Sequence, residues 1–288
     1  MEKIVSRLAP TPSGFLHLGN GLNFVLTWVL TRRAGGKLWL RIDDLDAPRM
    51  REEYLEDIFR TLEWLGLDYD YGPSGPEDHR KNYSQQNRRD EYQAALEQIA
   101  AQGGNVFGCV CSRSQIQTSG GQYIGTCREA AIPLFQPETA WRLLTPPKTL
   151  IHWDDFFQGN KSVNLYERMR DFVIRRKDGI PAYQIVSVWE DIHNGINLIV
   201  RGEDLADSTA AQLFLARFFP ENAFAHTRFY HHALLTDNEG RKLSKSAGSF
   251  SLKEMRSAGK GPSAVFREAA KILGHAEREF TTAAEFLF

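Results

Sequence analysis

Apolar positions along this chain follow two spacings. Leu22, Val25, Leu26, Val29 and Leu30 recur at helical intervals and predict a helix beginning at Asn20 or Gly21. Leu55, Ile58, Phe59, Leu62 and Leu65 predict a second over 52–65, with Gly66 as its stop. Tyr92, Ala95, Leu96 and Ile99 predict a third over 87–102, ending at Gly103-Gly104. Further helices are expected over 209–219 and 263–273, the latter apolar at Val265, Phe266, Ala269, Ala270 and Leu273.

Between them lie short apolar runs bounded by turn residues. Ile4-Val5 reads as the end of a buried strand, and 37–42, 182–189, 196–201 and 229–235 as further strands of a central sheet. Alternation of strand and helix predicts an α/β domain with a parallel sheet. Residues 131–180 carry less signal: Pro146-Pro147 breaks the chain, 151–153 and 163–165 suggest a hairpin, and 171–176 looks like a strand. Arg175-Arg176-Lys177 reads as a solvated basic turn, with contact to a phosphate backbone as the alternative. No repeat, heptad or low-complexity tract is present.

Composition narrows this little. With 288 residues the chain has room for one large domain with an insertion or for two modest ones. A hydrophobic fraction of 42% and a charged fraction of 25% are those of an ordinary globular protein. A net charge of −1 gives no global basic field, so any RNA surface must be a local patch. No apolar run approaches the ~20 residues of a membrane span. Met1-Glu2-Lys3 leads straight into a strand without a signal-peptide core, so a cytoplasmic location is expected. Three cysteines cannot complete a disulfide set; in a reducing compartment they either bind metal or lie inert.

Candidate chemistry sits in four places. Arg7 to Asn20 forms a Pro/Gly-rich turn between a strand and a helix, where unpaired backbone N–H groups favour anions, with His17 in the turn and Gly19 beside it. The second strand ends in Asp43, Asp44 and Asp46, at the sheet edge where ligands bind in such folds. Lys242-Leu243-Ser244-Lys245-Ser246 offers two lysines near a glycine-flanked turn. Cys109-Val110-Cys111 and Cys127, with Tyr123 between, have a spacing that suits either one metal or structural thiols.

Pro10-Thr11-Pro12-Ser13-Gly14-Phe15-Leu16-His17-Leu18-Gly19 and Lys242-Leu243-Ser244-Lys245-Ser246 resemble the two signatures of class I aminoacyl-tRNA synthetases, and more narrowly the glutamyl branch. The resemblance implies a Rossmann-type parallel-sheet domain split by a zinc-containing insertion, with a short helical C-terminal appendage. Its boundaries would be 1–102 and 181–240 for the two halves, 103–180 for the insertion, and 241–288 for the lysine loop and helical end. It further implies activation of glutamate by ATP with Mg2+. His17, Lys242 and Lys245 would be the catalytic groups. His17, Gly19, Asn20 and Lys245 would hold ATP. Arg7, Ala9, Ser13, Asp43, Tyr183 and Arg201 would hold glutamate. The family has glutamate where this chain has Asp43, one methylene shorter. Short paralogues carry Cys-x-Cys, then Tyr, then Cys as a zinc site, which implies one structural zinc on Cys109, Cys111, Tyr123 and Cys127. A glutamyl-tRNA synthetase continues into an anticodon-reading region where this chain stops. That difference and the cysteines make it similar to the glutamyl-queuosine tRNA(Asp) synthetase family, whose partner is the tRNA(Asp) anticodon stem-loop; a monomer is expected. A truncated tRNA charger, another adenylate-forming ligase and a non-catalytic RNA-binding relic are the alternatives.

Overall fold

The computed structural model describes residues 3–46, 50–220, 223–235 and 251–288. In chain order they form β1 (Val5–Leu8), α1 (Leu18–Arg33), β2 (Lys37–Leu40), α2 (Glu52–Leu65), α3 (Pro76–Asp78) and α4 (Arg89–Ala101). Next come β3 (Val106–Cys109), α5 (Arg113–Thr118), β4 (Ala140–Leu143), β5 (Leu150–Asp155), β6 (Gly159–Asn164), α6 (Leu165–Met169) and β7 (Val173–Arg175). The chain closes with α7 (Tyr183–His193), β8 (Leu198–Gly202), α8 (Ala206–Ala216), β9 (Arg228–His232), α9 (Leu252–Ser257) and α10 (Ser263–Ile272). Two compact units result: one of residues 1–87, 196–204 and 229–288, the other of 88–195 and 205–228.

In the first unit β1 and β2 pair in parallel, Arg7 opposite Trp39 and Leu8 opposite Leu40, with α1 as the crossover. β8 runs beside β1: the Ser6 hydroxyl donates to the Leu198 carbonyl (2.8 Å), and the Asn197 N–H to the Val5 carbonyl (2.9 Å). β9 is the next neighbour of β8. The helix α1 is buried on most of its surface, not on one stripe, including Leu22, Phe24, Val25, Leu26, Trp28 and Val29. Its outer side is covered by the C-terminal helices, whose Val265, Phe266, Ala269, Ala270 and Phe286 join the same core. Arg33 fixes that cover by donating from Nε to the Phe286 carbonyl (2.7 Å). The helical end expected as an appendage therefore completes the core. α2 has the bounds that its apolar stripe predicts, and Gly66 caps it at φ 66°, where a side chain would be strained.

The second unit contains an antiparallel sheet β3-β4-β7 and the hairpin β5–β6, in which Ile151 pairs Val163. The hairpin and β7 match the pattern of the sequence. Residues 182–189 do not: they form the start of helix α7, not a strand. The reason is burial. Gln184, Ile185, Val186, Ser187, Val188, Glu190 and Asp191 are all enclosed, so the polar positions Gln184, Ser187 and Glu190 are buried with the apolar ones and no solvated face sets the helical period apart. The buried Glu190 is held by the Tyr92 hydroxyl of α4 and by Arg88 Nη1 (3.1 Å), which locks α7 to α4. The basic turn is locally satisfied, Arg176 pairing Asp178 (2.6 Å) and Lys177 Nζ donating to the Val110 carbonyl (2.7 Å).

Candidate active site

At the start of α1, the turn after β1 is closed by histidine. His17 is the N-cap: its Nδ1 accepts from the Gly19 N–H (3.1 Å), while its own N–H donates to Asn20 Oδ1 (3.0 Å). A ring nitrogen that accepts carries no proton, so this bond fixes the tautomer with hydrogen on Nε2. Gly19 is needed for the ring itself: a Cβ there would lie 3.1 Å from His17 Cε1 and 3.2 Å from Nδ1. The small residue at this position thus admits the imidazole, which takes up the Gly19 N–H. The turn is braced by Phe15, edge-on to Tyr54 (4.8 Å between centroids) with Lys253 Nζ 3.8 Å from its own ring centre.

Ser251 bridges His17, and the Leu252 N–H donates to the Leu16 carbonyl (2.8 Å). The chain that follows the lysine motif thus returns to the histidine turn. Lys242 and Lys245 lie outside the described residues.

Hydrogen bonds of the backbone bring the ends of β1 and β2 together. Arg41 N–H donates to the Leu8 carbonyl (2.9 Å) and Asp43 N–H to the Pro10 carbonyl (2.9 Å), so the two segments run on side by side past Ala9 and Asp43 is bonded to the residue after it. Arg7 is 6% exposed and Arg201, near the end of β8, 4%. Asn23 ties α1 to the β8 end, its Nδ2 3.2 Å from the Val200 carbonyl and 3.2 Å from His232 Nε2. His232 Nδ1 lies 2.9 Å from the Ala233 carbonyl, so it is the protonated nitrogen and Nε2 accepts from Asn23. Burial lowers the pKa of this imidazole. Ser13 is exposed on the turn. Tyr183 lies in the other unit, at the first position of α7, with 47% exposure.

The acidic cluster divides. Asp43 accepts from Arg41 through Nε (2.7 Å) and Nη2 (3.1 Å), and from Gln85 Nε2 (3.1 Å). Asp44, 2% exposed, is an internal anchor: it accepts from the Ser84 hydroxyl (2.5 Å), the Gln85 N–H (2.7 Å) and His79 Nε2 (2.9 Å). Neither this anchor nor Asn23 and His232 was found by reading the sequence. The partners stand roughly 40 or more positions apart, and no local spacing marks them.

In the second unit Cys109, Cys111 and Cys127 place their sulfurs within 4.8 Å of one another, with Cys111 and Cys127 3.5 Å apart. Thiolates around a tetrahedral ion at ~2.3 Å stand about 3.8 Å from each other, so the cluster fits. Tyr123 is buried, and its phenolic oxygen accepts from the Cys127 N–H (2.8 Å), which puts it at the ligand loop. Burial, the Cys127 contact and the neighbouring Cys109 thiol push Cys111 up to about 11. Burial likewise raises the Tyr123 phenol. Burial opposes ionisation of Cys109 too, but the Arg142 guanidinium and the Cys111 N–H and thiol together outweigh it and hold that thiol below its ordinary value.

Comparison with known proteins follows this geometry. Residues 3–287 match the family model described as tRNA synthetases class I (E and Q), catalytic domain. A glutamyl-Q tRNA(Asp) synthetase of Nitratidesulfovibrio vulgaris is 36% identical over 275 residues, covering 89% of this chain and 82% of that protein. A glutamate–tRNA ligase of Desulfosudis oleivorans is 31% identical over 297 residues, but this chain spans 60% of its length. The crystal structure of glutamate-tRNA synthetase from Elizabethkingia anophelis superposes with a TM-score of 0.79 at 26% identity, covering 99% of this chain and 65% of that one. With its α/β architecture and its histidine-capped turn, the chain belongs to the class I (E and Q) tRNA synthetase catalytic-domain family, a family of ligases.

Proposed function

We propose that the protein activates glutamate with ATP and transfers it to the queuosine base in the anticodon of tRNA(Asp). The observation that carries this reading is a buried guanidinium, Arg7, at the end of the strand that leads into the His17 turn. A buried cation at a ligand edge suits a substrate side chain that brings its own carboxylate. The acceptor rests on likeness, since relatives at 35–38% identity carry the name glutamyl-Q tRNA(Asp) synthetase.

In the first step an oxygen of the glutamate α-carboxylate bonds to the α-phosphorus, the bond to the bridging oxygen breaks, and pyrophosphate leaves. Such a reaction needs positioning and charge neutralisation more than covalent help. The fixed Nε2–H of His17 would donate to the phosphate chain. Arg7 and Arg201 would hold glutamate with Ala9 and Ser13 around it, and Asp43 would face its amino group. Mg2+ accompanies the ATP. Exchange of pyrophosphate into ATP that depends on glutamate, run without tRNA, tests the activation. Transfer of labelled glutamate to tRNA(Asp) with and without queuosine tests the acceptor. Equal labelling of both RNAs would overturn the queuosine assignment.

Lys245→Ala should lower the maximal exchange rate about 100- to 1000-fold and leave the KM for glutamate nearly unchanged, because its charge is needed as pyrophosphate departs. A raised KM with an unaltered maximal rate would place this lysine in another role.

The cysteine site is proposed to hold one structural zinc, with Cys109, Cys111, Cys127 and Tyr123 as ligands. Bound there, zinc would staple the loop between β3 and β4. Purified protein should contain near-stoichiometric zinc, and Tyr123→Phe should bind it more weakly. Zinc-free protein from a chelator-free preparation contradicts the assignment.

A further inference from the structure

The buried side chains around the cysteine cluster include one cation with which, among the described residues, no carboxylate pairs. Arg142, on β4, is 7% exposed. Its guanidinium lies 3.9 Å from the centre of the Tyr123 ring. The only oxygen it reaches is neutral: Nη1 donates to the backbone carbonyl of Asp171 (2.7 Å), and among the described residues no carboxylate pairs with it. The Asp171 carboxylate is committed elsewhere. It is fully buried and accepts Arg128 through Nε (2.6 Å) and Nη2 (2.7 Å), together with the Thr145 N–H (2.9 Å). Arg128 directly follows Cys127 in the chain.

Asp171 thereby fixes two things with one residue. Its side chain clamps the backbone just after Cys127, and its carbonyl aims Arg142 at Tyr123. A buried guanidinium without an anion is costly. The anion within reach is the cluster: three thiolates and a phenolate around one divalent ion would carry net negative charge.

We propose that Arg142 is a positioning and charge-balancing residue of the metal site, held over Tyr123 by Asp171, and that its counter-ion is the metal–thiolate cluster itself. This rests on the zinc reading given above. Groups outside the ligands commonly tune metal affinity by about 10- to 100-fold, and a loss of that size is expected here.

The test uses the full chain, with zinc affinity measured by competition against a colorimetric chelator. Arg142→Met should bind zinc about 10- to 100-fold more weakly than the natural protein. Arg142→Lys keeps the charge but cannot lie flat on the ring, and should fall between them. The metal-free forms separate this role from simple packing. Without the ion Arg142 loses its counter-charge, so metal-free Arg142→Met should melt no lower than metal-free natural protein. If it melts lower by as much as the zinc-loaded pair differs, Arg142 is only structural and the inference falls. Zinc affinity unchanged in both variants overturns it as well. Should Arg142→Met fail to fold, folded Arg142→Lys decides alone by the same criterion. If the natural protein binds no zinc, the reading of the cysteine site fails first and takes this inference with it.

Discussion

Arg7→Ala should reduce kcat/KM for glutamate in pyrophosphate exchange by two to three orders of magnitude, and should abolish the preference for glutamate over glutamine. The argument starts from burial. At 6% exposure Arg7 sits in a medium where an ion pair lost from one side costs about 3–5 kcal/mol. Each ~1.4 kcal/mol in transition-state free energy is a factor of ten in rate. Under the proposed assignment the natural protein rejects glutamine because a neutral amide cannot give the buried guanidinium the charge-assisted bonds that a carboxylate gives. Once the arginine is gone, neither side chain is favoured, and the ratio of the two amino acids approaches one. Aspartate should be rejected by the natural protein, since its carboxylate falls short of Arg7. Asp43 is already engaged by Arg41 and Gln85, so under the same assignment it would not draw the substrate toward the arginine. The assay is exchange over the three amino acids with both proteins. A glutamate-to-glutamine ratio unchanged in Arg7→Ala would remove Arg7 from the pocket, and a natural preference for aspartate or glutamine would remove glutamate from the reaction.

The largest effect on stability is expected at Asp44. Its carboxylate is 2% exposed and collects the Ser84 hydroxyl, the Gln85 N–H and His79 Nε2. Gln86 Nε2 adds a bond to its backbone carbonyl (2.7 Å), so one residue holds the 79–86 segment against the end of β2. In Asp44→Ala these buried donors lose their acceptor and water cannot replace it without opening the segment. A cost of about 3–5 kcal/mol follows. For a chain of this size that is a fall of roughly 6–20 °C in Tm. Asp44→Asn keeps one acceptor oxygen and should recover part of the loss. Thermal melting followed by circular dichroism gives the answer, and a fall below about 2 °C for the alanine variant, far under the range expected for stranded buried donors, would mean that the network is not a structural anchor.

Sequence patterns revealed elements whose burial is one-sided. The helix α2 shows a clean stripe from Leu55 to Leu65, and α10 another from Val265 to Ala270, because each has a solvated face. Where burial surrounds an element the signal fades. α7 reads as a strand because almost every residue from Gln184 to Val188 is enclosed. The start of α1 is placed at Leu18, two residues before the apolar period suggests, because a histidine cap is rarer than the serine or aspartate that marks most helix starts. The turn, the cysteines and the arginines at strand ends were legible as residue types that carry chemistry. Their relations were not: the Asn23–His232 contact spans 209 positions, and the Asp44 anchor is assembled from a helical turn 35 to 42 residues away.

The first unit is drawn from three separate stretches, 1–87, 196–204 and 229–288, and this bears on how the polypeptide acquires its shape during synthesis. The outer side of α1 is closed by Val265, Phe266 and Phe286, so a nascent chain that has reached residue 228 still exposes that apolar surface. Every segment of the second unit has been synthesised by then. The order in which the units become protease-resistant should therefore run against the order in which their first residues appear. Contacts over such separations also make closure slow. The interval before the last 60 residues emerge is the time at which this protein most needs a chaperone to cover its α1 helix.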